Sequence, residues 1–256
     1  MPISIVTRAY RSSQLENLIS NLHNNTEIEF EIIAVCNIKD VEYDNVKIIL
    51  ENSNRFRARI TGIRNAKSER ILLIDSDQIL ENGLLTELNT KTDDMVIIPE
   101  RSISCNVVGR CLDDWRFRNE KRAFKHPRPD IPVIPRFYWK KQLARIVGEL
   151  PEIVFGIISH EDSVLYQMVF LETNSIGFAT RCILNEDPSL SRLLGKAYNY
   201  GKDAKSAENL ALPEDISKLL YRLDMSSLNI GELGIGKGLI LQVIRGFCYE
   251  MGKTFG

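Results

Sequence analysis

The sequence lacks a long apolar run, a strong net charge and an ordered set of cysteines. No stretch reaches the roughly 20 apolar residues that a membrane span needs, and the first residues predict no signal peptide. The formal net charge of -1 indicates no basic field for nucleic acid. The five cysteines are odd in number and lack C-x-x-C spacing. They therefore favour a reduced, cytoplasmic protein over a disulfide framework or a zinc site.

With 44% hydrophobic residues in 256, the chain has enough apolar side chains for a large core. Short apolar stretches alternate with segments of helical periodicity over the first hundred residues. The predicted strands are 3–6, 31–35, 46–50, 71–74 and 95–98, and the predicted helices are 15–22, 57–66 and 84–88. This alternation predicts an α/β fold with a mostly parallel, Rossmann-like central sheet and helices on both faces.

After residue 99 the composition changes. Segment 110–128 contains seven Lys/Arg and three aromatic residues. It is interpreted either as a solvated, salt-bridged helix or as a mobile segment lining a site for an anionic ligand. Strands are predicted at 153–158 and 176–184. Helices are predicted at 139–147, from 162 onward, and at 189–200, 216–223 and 238–251.

Two carboxylates, Asp75 and Asp77, directly follow the strand 71–74, with the small Ser76 between them. Ligands of open α/β sheets bind beyond the carboxyl ends of the strands. A carboxylate pair at that edge can hold a divalent cation together with the phosphates that the cation binds. The alternative is a pair of loop acids that begin a turn.

Three separated signatures resemble the family 2 glycosyltransferases, which are inverting enzymes of the GT-A fold that use nucleotide-diphosphate sugars. Segment 58–71 before Asp75 and Asp77 is similar to the family's A-R-N-x-G-I-x-x-A-x-G-E-Y-I before D-x-D. Segment 134–141 is similar to the family's "aRfFrr", and 160–165 to G-E-D-x-x-L. Their order and gaps also match, and the resemblance covers roughly residues 3–201.

The resemblance implies a role for each matching residue. Asp162 is the implied catalytic base, with Glu161 as the less favoured neighbour. A Mg²⁺ or Mn²⁺ ion would be held by Asp75, Asp77 and a late acid, Asp187 or Glu186, of which Asp187 is preferred. The implied nucleotide-sugar-binding residues are Thr7, Arg8, Asn37, Arg59, Asp75, Ser76 and Arg136.

The chain departs from the family pattern in two places. Many members end the second strand with an aspartate that holds the nucleobase, where this chain has Cys36 and Asn37. A thiol cannot replace a carboxylate in that hydrogen bond, so Asn37 or the loop 52–54 is expected to contact the base. A late histidine ligand is also replaced near Asn185, Glu186 and Asp187, where oxygen ligands suit Mg²⁺ or Mn²⁺.

The predicted function is a metal-dependent inverting transfer of a hexose from a nucleotide-diphosphate sugar to a glycan or lipid-linked acceptor, as in polysaccharide biosynthesis. The alternative is a catalytically inactive nucleotide-sugar-binding or scaffold protein on the same fold. A sugar-nucleotide pyrophosphorylase is disfavoured, because its G-x-G-x-R loop is absent after the first strand.

The resemblance also predicts the domain organisation. Residues 1–205 would form the GT-A domain, with a nucleotide-sugar-binding half at 1–100 and an acceptor half at 101–205. Residues 206–256 would form a helical extension packed on the same domain. For the apolar segment near 238–251, a domain-closing or homodimer-forming helix is favoured over peripheral contact with the cytoplasmic face of a membrane.

Overall fold

A computed structural model of the chain describes residues 2–25, 28–38, 43, 45–103, 106–173, 175–186, 188–228 and 238–255. The chain divides into two compact units that interleave along the sequence. The first comprises Met1–Glu100, Ile134–Leu150 and Met168–Asn185. The second comprises Arg101–Val133, Pro151–Gln167 and Glu186–Gly256.

The strands are short and mostly apolar. They are β1 Ile3–Ala9, β2 Phe30–Cys36, β3 Val46–Leu50, β4 Arg70–Asp75, β5 Gln78–Leu80, β6 Met95–Ile97, β7 Glu100–Ser102, β8 Pro135–Trp139, β9 Ile176–Phe178 and β10 Ile183–Asn185. Seven of them form one sheet in the order β3-β2-β1-β4-β8-β6-β9. Only β8 runs antiparallel to its neighbours, so the predicted fold class is confirmed.

The helices are α1 Ser12–Asn25, α2 Arg55–Asn65, α3 Leu84–Asn89, α4 Val107–Lys125, α5 Lys140–Glu149, α6 Glu161–Phe170, α7 Leu190–Glu208, α8 Glu214–Leu228 and α9 Gly238–Phe255. Residues of α1 and α3, such as Leu18 and Leu88, pack with Ile5 and Leu72 of the sheet in one apolar core. None of the helices within the described ranges is long and apolar enough to cross a membrane.

The basic segment is a helix, as the first of its two interpretations predicted. Asn106 caps α4 by accepting a hydrogen bond from the Gly109 amide at 2.9 Å. Ion pairs along the helix join Arg116 to Asp113 at 3.0 Å and Arg118 to Asp114 at 2.9 Å.

The strand predicted at 153–158 is wrong, because this segment contains a 3₁₀ helix, Glu152–Gly156. Pro151 precedes it, and its carbonyl accepts a hydrogen bond from the Val154 amide at 3.0 Å. Val154 is buried while Ile153 and Ile158 are exposed. A short apolar run does not by itself distinguish a strand from a buried helical turn.

Segment 176–184, predicted as one strand, instead holds β9 and β10. β10 pairs antiparallel with β5, in a small sheet of order β5-β10-β7. This second sheet brings Asn185 opposite Gln78, next to the acid pair that follows β4.

Candidate active site

The candidate donor site begins where β1 and β4 end. These strands are parallel neighbours, and their register places Arg8 opposite Asp75 and Thr7 opposite Ile74. Thr7 is 2% exposed, and its hydroxyl has no hydrogen-bond partner within the described residues. The structure thus brings Thr7, Arg8 and Asp75, which the sequence singled out separately, to one edge of the sheet.

Arg59 reaches this edge from α2. Its Nη2 donates to Asp75 Oδ1 at 2.9 Å, and the Arg59 side chain is 4% exposed whereas that of Asp75 is 30% exposed. The close approach of α2 to β1 depends on Gly62, since a Cβ there would lie 2.2 Å from Val6 Cγ1. Arg59 is therefore a buried cation that orients Asp75, while Asp75 stays partly open to solvent.

A second buried arginine lies within the electrostatic reach of Asp75. Arg136 of β8 donates from Nη2 to Glu100 Oε1 at 2.9 Å. Burial alone would lower the pKa of Arg136, but the charges of Glu100 and Asp75 and the hydrogen bond to Glu100 raise it above its usual value. Arg136 is consequently a permanent cation, and its guanidinium geometry suits phosphate oxygens.

Asp77 is exposed beyond the end of β4, whereas Ser76 is buried. Asp187, the predicted third metal ligand, lies outside the described residues. Among the residues described, no group of three or more His, Cys, Asp or Glu side chains is placed to hold a metal ion. Asp75 and Asp77 nonetheless offer the oxygen ligands that Mg²⁺ and Mn²⁺ prefer, and these ions commonly complete their coordination with substrate phosphates and water.

The end of β2 differs from what a base-binding aspartate would require. Cys36 is 1% exposed and belongs to the apolar core, so its thiol faces away from solvent. Asn37 is exposed immediately after it. Of these two residues, only Asn37 presents a polar side chain that a ligand could reach.

Glu161 and Asp162 begin α6 in the second unit, and both are buried. The residue before them, His160, has φ 65°, a left-handed conformation that is unusual for a residue with a side chain. Its ring lies 6.0 Å from that of Tyr200 in α7, so His160 packs rather than stands free. This strained turn sets the direction in which α6 starts, and with it the two acids.

A cavity of about 230 Å³ lies in the second unit next to this turn. Its polar lining residues are Ser159, His160, Glu208, Ser217 and Tyr221, and the remainder of its lining is apolar. It lies beside the turn that carries the candidate base and offers hydroxyl and carboxylate groups.

The candidate donor site also contains three residues that were not predicted from the sequence. They are Gln78, Asn185 and Glu100. Gln78 Oε1 accepts from the Asp75 amide at 3.0 Å, and Gln78 Nε2 donates to Asn185 Oδ1 at 3.0 Å. Asn185 Nδ2 donates to Glu100 Oε2 at 3.2 Å. The sequence signals were positions only. Gln78 follows Asp77, Glu100 follows a predicted strand, and Asn185 lies near the position where the family has a late histidine ligand.

Comparison with solved structures finds proteins that share this fold. The chain matches residues 1–349 of S. aureus TarS in complex with UDP (15% identity, TM-score 0.56, 99% of this chain and 90% of that chain). It matches the same protein with UDP-GlcNAc (13% identity, TM-score 0.55, 98% and 81%). It also matches the mannosyltransferase PcManGT from Pyrobaculum calidifontis with GDP-Man and Mn²⁺ (13% identity, TM-score 0.58, 95% and 73%).

At these identities the likeness shows the fold alone. No family model matches the sequence, and no curated protein does.

Proposed function

We propose that the protein transfers a sugar from a nucleotide-diphosphate sugar to an acceptor hydroxyl. The observation that carries this proposal is the edge of the sheet at Asp75, where one partly exposed carboxylate pairs with the buried Arg59 and interacts electrostatically with the buried Arg136. The same fold holds UDP-GlcNAc in TarS and GDP-Man with Mn²⁺ in PcManGT. An edge with carboxylates and arginines suits a diphosphate and its counter-ion.

On the donor side, Arg136 binds diphosphate oxygens and Arg59 keeps Asp75 oriented. Thr7, Arg8 and Asn37 surround the nucleoside, since all three lie at the ends of β1 and β2. Ser76 lies between the two acids with its side chain buried, so its role in the donor site is to fit a position where only a small side chain is accommodated.

Asp75, Asp77 and Asp187 would hold a Mg²⁺ or Mn²⁺ ion. When bound, such an ion stabilises the negative charge of the departing diphosphate. Asp77 is suited to direct ligation because it is exposed, whereas one oxygen of Asp75 is already engaged by Arg59.

On the acceptor side, Asp162 takes the proton of the acceptor hydroxyl. The acceptor oxygen forms a bond to the anomeric carbon as the bond from that carbon to the phosphate oxygen breaks, so the configuration inverts and the nucleoside diphosphate leaves. Burial at the start of α6 keeps the Asp162 carboxylate away from bulk water. General-base catalysis of this kind contributes about 10²- to 10⁴-fold.

We place the protein with the family 2 enzymes that transfer hexoses to glycan or lipid-linked acceptors in polysaccharide biosynthesis in the cytoplasm. In this proposal 1–100 together with Arg136 of β8 holds the donor, the remainder of 101–205 holds the acceptor, and 206–256 packs on the same domain. The exposed apolar residues of α9, among them Phe247 and Phe255, suit a homodimer contact or peripheral contact with a membrane that carries the acceptor.

A nucleotide-sugar-binding protein without activity is the second candidate. It is favoured by Cys36, which lies in the core where related enzymes hold the base with an aspartate. Incubation with UDP-, GDP- and TDP-sugars, with and without Mn²⁺ or Mg²⁺, separates the two. Metal-stimulated release of the nucleoside diphosphate supports the enzyme, whereas nucleotide binding without any release supports the second candidate.

A further inference from the structure

A chain of hydrogen bonds joins the backbone amide of Asp75 to the guanidinium of Arg136 in the candidate donor site. It runs from the Asp75 amide through Gln78, Asn185 and Glu100 to Arg136, with donor–acceptor distances of 3.0, 3.0, 3.2 and 2.9 Å. All of its members belong to the first unit. Gln78 and Asn185 are direct partners in the β5–β10 register, so the backbone holds the two amides opposite each other.

The direction of every bond in this chain is determined by its ends. The Asp75 amide can only donate, so Gln78 must present its oxygen there and its NH₂ group to Asn185. Asn185 must then accept with its oxygen, which leaves its NH₂ group for Glu100. The Glu100 carboxylate accepts from Asn185 with one oxygen and from Arg136 with the other.

This direction has an electrostatic consequence. Gln78 is 3% exposed, and a buried amide requires partners for both of its ends. The neutral amides of Gln78 and Asn185 therefore fix the position of Glu100 relative to the Asp75 backbone, and they place no further charge between these two residues. Glu100 must remain an acceptor at both oxygens, and this holds the Arg136 guanidinium in one orientation.

We propose that Gln78 and Asn185 are positioning residues that, through Glu100, set the orientation of Arg136 relative to Asp75 for binding the donor diphosphate. The inference rests on the proposed function. It assigns no contact between the amides and the substrate, and it predicts that the continuity of the chain matters more than the identity of its members.

The test is a swap of the amide and the carboxylate. Asn185→Asp alone sets two carboxylates against each other, and Glu100→Gln alone leaves the introduced amide unable to accept from both Asn185 and Arg136. In the double variant the aspartate introduced at 185 accepts from Gln78 and from the glutamine introduced at 100, whose oxygen accepts from Arg136. The double variant restores each hydrogen bond and the net charge.

The readouts are the Kd of UDP and GDP with Mn²⁺ by calorimetry and the KM and kcat for the donor. Each single variant is expected to weaken nucleotide binding and raise the donor KM by about 10- to 100-fold, as for a lost hydrogen bond to a charged group. The double variant is expected to bind at least about 3-fold more tightly than the weaker-binding single variant but less tightly than the wild type, because its hydrogen bonds are restored while the carboxylate beside Arg136 becomes a neutral amide.

Glu87→Gln is the matched control. Glu87 is a carboxylate of the same unit that, like Glu100, accepts a hydrogen bond at each oxygen, but its donors are the backbone amides of Thr180 and Arg181 rather than members of the chain. It should leave Kd and KM unchanged. The inference would be overturned if the Kd of each single variant were within about 2-fold of the wild type. It would also be overturned if the double variant bound the nucleotide no more tightly than the weaker-binding single variant. A wild-type protein that binds none of UDP, GDP and TDP would instead reject the proposed function and, with it, this deduction.

Discussion

At the scale of single residues, the donor site depends on how carboxylates and guanidinium groups are paired. Asp75 is held by Arg59, and Glu100 is held by Arg136. Pairing keeps these buried cations in the fold, since an unpaired charge would be strongly disfavoured there. It also leaves Asp77 as the exposed acid beside the pair.

Asp162→Asn tests the proposed base. The amide keeps the shape of the side chain but cannot take a proton, so transfer should fall about 10²- to 10⁴-fold while the Kd of the nucleoside diphosphate stays unchanged. Turnover with a saturating donor, together with calorimetry, measures both. Asp114→Asn on the exposed side of α4 serves as the control, and full transfer by the Asp162 variant would refute the assignment.

Arg70→Ala tests a buried cation outside the site. The Arg70 guanidinium lies 4.2 Å from the ring centre of Phe137 and 4.1 Å from that of Trp139, and it donates to the carbonyls of Asp93 and Lys91. Burial lowers its pKa to about 10, against the opposing charges of Asp93 and Asp94.

Removal of this side chain should lower the free energy of unfolding by about 3 kcal/mol, typical of a large buried group. Urea denaturation measures the change. Arg64→Ala, at an exposed position of α2, should change stability by less than about 0.5 kcal/mol. Equal effects of the two substitutions would contradict the structural role of Arg70.

At the scale of elements, α7 and α9 cross at two glycines. A Cβ on Gly201 would lie 1.9 Å from the Tyr249 carbonyl oxygen, and one on Gly252 would lie 1.9 Å from that of Tyr198. Backbone atoms cannot yield as a flexible side chain can. The absence of side chains at these two positions therefore permits the close crossing.

Gly201→Ala should destabilise the protein by at least about 2 kcal/mol, because the helices must separate. Gly195→Ala in the same helix, where nothing lies within 4 Å of the added Cβ, should stabilise it by about 0.5–1 kcal/mol. Thermal unfolding of the two variants measures the contrast. A stabilised Gly201 variant would show that the helices do not meet here.

The segment between β9 and β10 is anchored by two carboxylates. Glu87 accepts hydrogen bonds from the amides of Thr180 and Arg181, and Glu81 accepts from that of Cys182. The hydrogen bonds from Cys182 lower the pKa of Glu81. Burial alone would raise the pKa of Glu87, but the hydrogen bonds from Thr180 and Arg181 lower it below the usual 4.5.

A lowered pKa in the folded state contributes stability above pH 4.5, and that stability is lost as the pH falls through the folded-state pKa. The free energy of unfolding should therefore decrease below about pH 4.5, and it should decrease less steeply in Glu87→Gln. Urea denaturation between about pH 3 and about pH 7, a range that includes the usual glutamate pKa, tests this. Parallel pH profiles for the two proteins would contradict the anchoring role.

At the scale of the whole molecule, binding of the donor nucleotide should increase the thermal stability of the protein. A ligand that binds only the folded state stabilises it by about 2.7 kcal/mol at one hundred times its Kd. UDP or GDP with Mn²⁺ should therefore raise the Tm, and EDTA should remove most of that increase. Asp77→Asn should behave like the EDTA-treated wild type. A full Tm shift in Asp77→Asn that EDTA still removes would exclude Asp77 as a ligand of the ion.

Local sequence patterns predicted most of the sheet. β1 to β4 and β6 were each visible as short apolar runs between helical segments, and the acids Asp75 and Asp77 at the end of β4 indicated the edge of the sheet where the candidate site was sought. The same reasoning failed at 153–158, where an apolar run is a 3₁₀ helix. It also failed to predict β8, because Pro135 and Arg136 interrupt the apolar pattern of that strand.

The sequence by itself determined the strand–helix alternation, the parallel sheet and the candidate acids Asp75 and Asp77, because these depend on neighbouring residues and on periodicity. Only the tertiary structure decided that Arg59 pairs with Asp75 and that Gln78 meets Asn185. The latter contact joins residues 107 positions apart. It exists because the register of β5 against β10 places them opposite each other, and no local pattern encodes that register.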